Sequence, residues 1–457
     1  MAKATPVDSR ALPTPVRCPA RIRQPRGRQA IHDGVSFPRS RRSPEEAMVP
    51  KILHLSDLHL GYRPPGLGDR ARDHRRVRDQ VLSRCVAWCL GDAREAVGAV
   101  LITGDLFESP HPEPALVEAV LDDLNRLAGR GIPVITVPGN HDELTYPDGV
   151  YRRHADRWPG TLVTRPHPEE VAELTLGKVK VAVHALAFIQ SESPATPRFP
   201  TVGRDGRFHI AALHATLTDR LGTFIAEGER ALRVRLDDLA SRGYDHIALG
   251  HIHREPLQWT QQGTSAAYAG LIEGKGFHDP GGIGLLLIDP SQRPAGLQRI
   301  VFHQHRFVEL DVVLDDFAGA DRLEEHLLSA ALKRSSAPAR NDHVRSQEEE
   351  LARAALRVRL RGQAPFPVDM GRLQARLASS LLALEIEAAD PAWDMGDWQR
   401  WREEATLRGE LVRKALESMA EAASPEERSL LEEAAVHGLR ALRQAAEEDG
   451  SASWGGA

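Results

Sequence analysis

Cysteine is nearly absent from this chain, with only Cys18, Cys85 and Cys89 among 457 residues. Three thiols cannot build a disulfide framework, and such scarcity fits a reducing, cytoplasmic setting. No apolar run nears the roughly 20 residues that a spanning helix needs, and residues 1–47 lack the apolar core of a secretion signal, so no membrane partner is expected. A phosphate-cradling Gly-x-x-x-x-Gly-Lys-Ser/Thr loop does not occur, so any ATP dependence has to come from another protein. Aromatic residues make up only 5% of the chain, against 41% hydrophobic and 27% charged residues. That balance belongs to a water-soluble globular protein, and the length suits two or three domains.

Positive charge is also short. The formal net charge is −5; residues 1–47 carry ten Lys and Arg against four Asp and Glu, +6, which leaves −11 for the remainder. A protein that grips DNA over a wide surface is usually basic. DNA contact would therefore have to come from a local patch, from bound metals or from a partner.

What the chain does have is five short blocks of metal-ligand chemistry: Asp57-Leu58-His59, Gly104-Asp105-Leu106-Phe107-Glu108, Gly139-Asn140-His141-Asp142, a lone His214, and Gly250-His251-Ile252-His253. Each lies at or just after an apolar run (52–55, 100–103, 134–137, 209–213, 246–249) that reads as a buried strand. The ligands would gather at neighbouring strand ends, where loops build sites on a rigid sheet. Two ions about 3.5–4 Å apart clamp the attacking and leaving oxygens of a phosphoryl transfer, and a carboxylate has the two oxygens needed to bridge them. Asp105, at a strand exit, is the candidate bridge. Period-two alternation in an extended segment would put Asp57 with His59, and His251 with His253, on one side. The same alternation turns His141 away from Asn140, towards proton transfer or phosphate stabilisation rather than ligation.

These blocks, in this order, resemble the calcineurin-like metallophosphoesterases, and within them the SbcD-type DNA-repair nucleases. The segments reading HLSDLHLG, ITGDLFES, VPGNHD and ALGHIH carry that resemblance, and Tyr268–Gly282 looks like the tail of the nuclease domain. The resemblance implies an α/β fold (α+β overall) in which a two-sheet β-sandwich is flanked by helices. It implies Asp57, His59, Asp105 and His253 on one ion, Asp105, Asn140, His214 and His251 on the other, and His141 as the catalytic imidazole. The ions would be Mn2+, with Fe or Zn as alternatives. One position departs from the archaeal and eukaryotic nucleases of this type: Glu108 stands where they carry histidine, and an acid there would orient His141.

The organisation expected along the chain is a disordered Arg- and Pro-rich tail over 1–47, or a start codon truly at Met48, then a nuclease domain over 48–305. A small α+β cap over 306–390 and a helical segment over 391–457 would follow. Helices are expected over 73–90, 113–127, 230–241, 320–332 and 371–382, strands over 266–269, 283–288, 297–303, 307–314 and 356–360, and a loop over 333–349. Leu407, Leu411, Ala415 and Met419 form one apolar stripe, and Leu430, Ala434 and Leu442 a second after a Ser424-Pro425 helix start. In the resembling family such helices dock the coiled coil of an SbcC-like ATPase; a hairpin packed on its own cap fits the periodicity equally.

Several residues read as structural. Cys85 and Cys89, spaced i, i+4, pack; so do His54, His184 and His246, and Trp393, Trp398 and Trp401. The arginines of 70–78 read as a solvated helix face, with phosphate gripping as the alternative. Three functions compete: a DNA phosphodiester hydrolase working with that ATPase, a stand-alone phosphodiesterase or phosphatase on a small nucleotide or phosphoprotein, and a non-catalytic scaffold. A homodimer is compatible with each. Retention of every ligand argues against the scaffold.

Overall fold

Unbroken apolar runs explain the central strands, because parallel strands covered on both faces are hydrophobic throughout. A computed structural model describes residues 49–448 apart from 65–66, 68–70, 94–95, 191, 222–229, 254–255, 336–345, 363–365, 367 and 389–394. The expected tail over 1–47, Trp393 and most of the expected loop over 333–349 lie outside the described residues.

Two mixed sheets lie within the described residues from Lys51 to Ile300. One runs Gly296–Ile300, Leu285–Asp289, Lys51–Leu55, Val97–Thr103, Val134–Val137, Thr161–Leu162. The other runs Gln258–Gln261, Thr264–Tyr268, His246–Gly250, Phe208–Leu217, Val179–Ala185, Glu169–Leu176, with Leu232–Val234 paired to Phe208–Leu217. Alternation places the second sheet between two cores. Ile210, Ala212 and Ala248 join Ile52, Ile102 and Ile135 of the first sheet in one cluster, while Ala211, Leu213, Ile247 and Leu249 face the helix Leu236–Ser241 in another. The helices Val81–Leu90 and Pro114–Ala128 cover the far side of the first sheet, with Cys85 and Cys89 packed inside. Burial pushes the Cys89 thiol up to about 12, which suits packing and not metal binding. The architecture is thus the expected mixed α/β arrangement of sheets flanked by helices.

Details depart from expectation where tertiary context intervenes. The helix expected over 73–90 breaks at Gln80 into Ala71–Asp79 and Val81–Leu90. The region 230–241 opens as the strand Leu232–Val234 before its helix. In the smaller layer, Arg306–Val313 and Ala354–Arg361 pair in parallel, and a third strand not foreseen, Ala383–Ala388, completes the sheet. Its polar face is a ladder in which Arg357 and Arg359 interleave with Glu309, Glu385 and Glu387. Helices Ala320–Ser335 and Met370–Ala378 cover the other face.

The helices Leu407–Glu421 and Pro425–Glu448 form a hairpin around Trp398, Trp401, Val412, Met419, Ala435, Val436 and Leu439. The Ser424 cap is present, its hydroxyl accepting from Glu427 N at 3.1 Å. The first expected stripe holds at Leu411, Ala415 and Met419, although Leu407 is 76% exposed; the second is displaced by one residue, with Leu431 and Ala435 turned inward and Leu430 66% exposed. On a helix of 3.6 residues per turn, a one-residue offset rotates the buried face by about 100°. Among the described residues no helix is long and apolar enough to cross a membrane.

Candidate metal centre

All five blocks converge, by a route that strand alternation did not foresee. The strand Lys51–Leu55 ends before Asp57, and Asp57 and His59 adopt left-handed backbone at φ 56° and 46°. Asp105 at φ 52° and His251 at φ 105° share that region. Non-glycine residues are held there at a cost of about 1–3 kcal/mol each, only where surrounding structure dictates it. Here the two loops zip together: Asp57 N donates to Gly104 O at 3.0 Å, His59 N to Asp105 O at 2.9 Å and Leu60 N to Leu106 O at 2.9 Å. Asp57 Oδ1 in turn accepts from His251 N at 3.0 Å, tying the first block to the last. Gly104 and Gly139 are glycines because a Cβ would strike the His214 ring in one case and the Asp105 carboxylate in the other.

The donor atoms form two groups that share one oxygen. In the first, His59 Nε2 lies 3.1 Å from His253 Nε2 and 3.6 Å from Asp105 Oδ2, with Asp57 Oδ1 3.5 Å from His253 Nε2. In the second, His214 Nε2 lies 3.0 Å from Asn140 Oδ1, 3.3 Å from His251 Nδ1 and 3.3 Å from the same Asp105 Oδ2. His251 Nδ1 is 3.2 Å from Asn140 Oδ1. Donors bound about 2.1 Å from one ion stand about 3.0–3.5 Å from each other, so both groups match a metal's ligand spacing. In the metal-free chain the imidazole protons of His253 and His214 bridge these contacts, and a cation would take their place. The residues therefore fit two divalent ions, with Asp105 as the shared ligand.

The charges carry the same message. Burial works to protonate Asp57, yet bonding to His253 and the neighbouring imidazoles hold it well below the usual carboxylate range. Burial works to neutralise His253 too, but Asp279 and Asp57 outweigh it and raise the imidazole to about 10. His214, likewise opposed by burial, is raised to about 9 by Asp105. The pocket draws positive charge into itself.

The far nitrogens are anchored, as metal-binding imidazoles require. His214 Nδ1 lies 3.0 Å from Thr103 O, His253 Nδ1 3.3 Å from Asp279 Oδ2 and His59 Nδ1 2.7 Å from Glu108 Oε2. The Glu108 carboxylate thus sits closer to His59 than to the His141 it was expected to orient. It serves His59 and the Lys275 ammonium, at 2.9 Å, and stands 3.8 Å from His141 Nδ1. What His141 Nδ1 meets instead is the Glu108 backbone oxygen, at 3.1 Å. Nor does His141 face away: residues 138–142 are not extended, and its ring lies edge-on to His59 at 4.8 Å between centroids. Its side chain is 37% exposed, against 17% for His253, which leaves it open to an incoming ligand.

Residues 50–255 match the calcineurin-like phosphoesterase family. This part of the chain is a calcineurin-like metallophosphoesterase domain. The DNA double-strand break repair protein Mre11 of Aeropyrum pernix is 27% identical over 235 residues, 49% of this chain and 54% of its own length. That of Sulfurisphaera tokodaii is 26% identical over 265 residues, 55% of this chain and 62% of its own. An uncharacterised metallophosphoesterase of Bacillus subtilis, YhaO, is 24% identical over 249 residues, 52% of this chain and 56% of its own. The chain thus spans little more than half the length of these relatives.

The supporting roles of four residues around the metallophosphoesterase site escaped the sequence reading. Asp142 is buried, and its carboxylate accepts from Gly139 N at 2.8 Å, Phe107 N at 3.1 Å and Tyr151 Oη at 2.7 Å, fixing the asparagine loop to the bridging loop. Arg78 belongs to the stretch read as a solvated face or phosphate grip, yet it is fully buried. Its guanidinium donates to Gly274 O at 2.8 Å, Leu58 O at 3.2 Å and Glu273 O, bracing the first metal loop. Asp279 and Lys275 lie in the segment Tyr268–Gly282, whose resemblance to a domain tail gave neither residue a role. His54 and His246 are the structural residues expected, lying 2.8 Å from Thr103 Oγ1 and 2.8 Å from Ser265 Oγ.

Proposed function

We propose that this chain hydrolyses DNA phosphodiesters with two divalent ions, Mn2+ by preference, and works with a coiled-coil ATPase of the SbcC type docked on the C-terminal hairpin. The observation that carries the reading is the single Asp105 oxygen shared by two donor groups. Such ions, when bound, supply Lewis acidity to the phosphate oxygens. Asp57, His59 and His253 would hold one, Asn140, His214 and His251 the other, and Asp105 would serve both. His141, with Nδ1 against a carbonyl, presents Nε2 to the substrate and carries a proton to the leaving oxygen. Glu108 acts one step back, by fixing His59. The names of the archaeal relatives supply the substrate class. The acidic body supports a second reading, a phosphodiesterase for small substrates.

Mn2+-dependent cleavage of labelled single- and double-stranded DNA, with His141→Ala beside it, tests the proposal. Cleavage that the substitution removes supports the nuclease. Turnover of bis-p-nitrophenyl phosphate without DNA cleavage, even after the partner ATPase is added, would favour the small-substrate reading.

A further inference from the structure

The two metal positions are supported differently. His214 in the second group is anchored by Thr103 O, a backbone atom at the end of a central strand. In the first group His253 leans on a side chain, Asp279, and His59 on Glu108, which is itself held by Lys275. Asp279 and Lys275 belong to one loop, closed on itself by Lys275 N donating to Asp279 O at 2.8 Å. That loop is clamped from below: Gly274 O lies 2.9 Å from His74 Nε2 and 2.8 Å from Arg78. It is clamped from the side as well, where the Arg357 guanidinium of the small sheet sits 4.2 Å over the Phe277 ring and Phe307 meets Phe277 edge-on at 5.2 Å. One short loop therefore connects the small sheet to both histidines of the first group.

We infer that Asp279 is a positioning residue for the first ion, and that the loop 273–279 sets the occupancy of that ion separately from the second. The carboxylate fixes the His253 ring with Nε2 inward and makes it a better electron donor, while the clamped loop keeps the carboxylate in place. Removing such a support typically lowers metal affinity 10- to 100-fold. The inference rests on the two-metal reading above.

Isothermal titration of the full-length, chelator-stripped chain with Mn2+ tests it, with electron paramagnetic resonance to count coupled pairs. In Asp279→Asn, one of two bound ions should weaken about 10- to 100-fold. The other should stay within a few-fold, and a mononuclear signal should build before the coupled one. Asp279→Glu should restore part of the loss, and excess Mn2+ should restore hydrolysis, which a merely misfolded variant would not do. Two ions bound as tightly in Asp279→Asn as in the parent would overturn the inference alone, and so would equal weakening of both. Failure of the parent chain to bind two ions would instead remove the two-metal reading, and this inference with it.

Discussion

The backbone N–H of His141 donates to Asp105 Oδ1 at 2.9 Å, and this bond decides which oxygen of Asp105 is shared. With Oδ1 engaged, Oδ2 is left facing both His59 Nε2 and His214 Nε2. The asparagine loop thus contributes through its main chain as well as through Asn140 and the His141 ring. Asp105→Asn keeps the shape but removes the charge that both ions share. We expect Mn2+ stoichiometry to drop from two to one or fewer, and hydrolysis of bis-p-nitrophenyl phosphate to fall at least about a hundredfold, beyond what loss of an outer support causes. Two ions retained in Asp105→Asn would show that Asp105 is not the bridge.

Metal binding should release protons. In the metal-free chain His253 is raised to about 10 and His214 to about 9, so both are charged at neutral pH and each must lose its proton to ligate. One of them serves each ion. Apparent affinity should therefore rise with pH by roughly tenfold per unit from pH 7 to about 9 for the ion that His214 serves and to about 10 for the ion that His253 serves, and flatten above. Titration in buffers of different ionisation enthalpy counts the protons directly. A flat affinity over this range would mean that the histidines are already neutral.

Asp142 illustrates what the sequence could and could not disclose. The blocks themselves were legible because metal ligation restricts residue type and spacing so tightly that five in order leave little alternative. The strands were legible because burial on both faces demands unbroken apolar runs such as Phe208–Leu217. Geometry around the ligands was not. Asp57 and His59 come together through left-handed turns fixed by long-range hydrogen bonds, which no local periodicity encodes. Asp279 reaches His253 across 26 residues with no spacing rule to announce it. Arg78 looked solvated because charge usually is; its four carbonyl partners exist only once the chain has folded.

From that geometry, Asp142→Ala should act through structure before chemistry. It strands two buried backbone N–H groups and the Tyr151 hydroxyl, each worth about 1–3 kcal/mol when left unpaired. A loss of roughly 3–5 kcal/mol is expected in urea unfolding. Burial and the charge of Asp105 hold the Asp142 carboxyl up at about 6; Asp142→Asn keeps one acceptor oxygen but sets its NH2 against either Gly139 N–H or Phe107 N–H, so it should recover only part of that stability. Equal losses in both variants would count against the hydrogen-bond account.

A pair of histidines beneath the loop 273–279 should make the fold acid-sensitive. His74 Nδ1 meets His305 Nδ1 at 2.7 Å, and His74 Nε2 lies 2.9 Å from Gly274 O. Burial, then the charges of His305 and Arg78, lower His74 to about 3; burial, then Arg353 and Arg84, lower His305 to about 4. Both folded values lie below the unfolded value near 6.5, so the unfolded chain binds more protons over the interval between them. Their contribution is complete above pH 6.5 and drains away as pH falls towards 4. By pH 5 the pair should have cost about 1–2 kcal/mol, from about 1.4 kcal/mol per pKa unit reduced for coupling. Other buried histidines titrate in the same window, so the comparison must be with a variant. His74→Gln keeps a donor for Gly274 O but cannot charge. Measured by urea unfolding in the presence of chelator, it should be less stable than the parent at pH 7.5, and the gap should narrow by about 1 kcal/mol at pH 5. A gap that stays constant with pH would place the acid sensitivity elsewhere in the molecule.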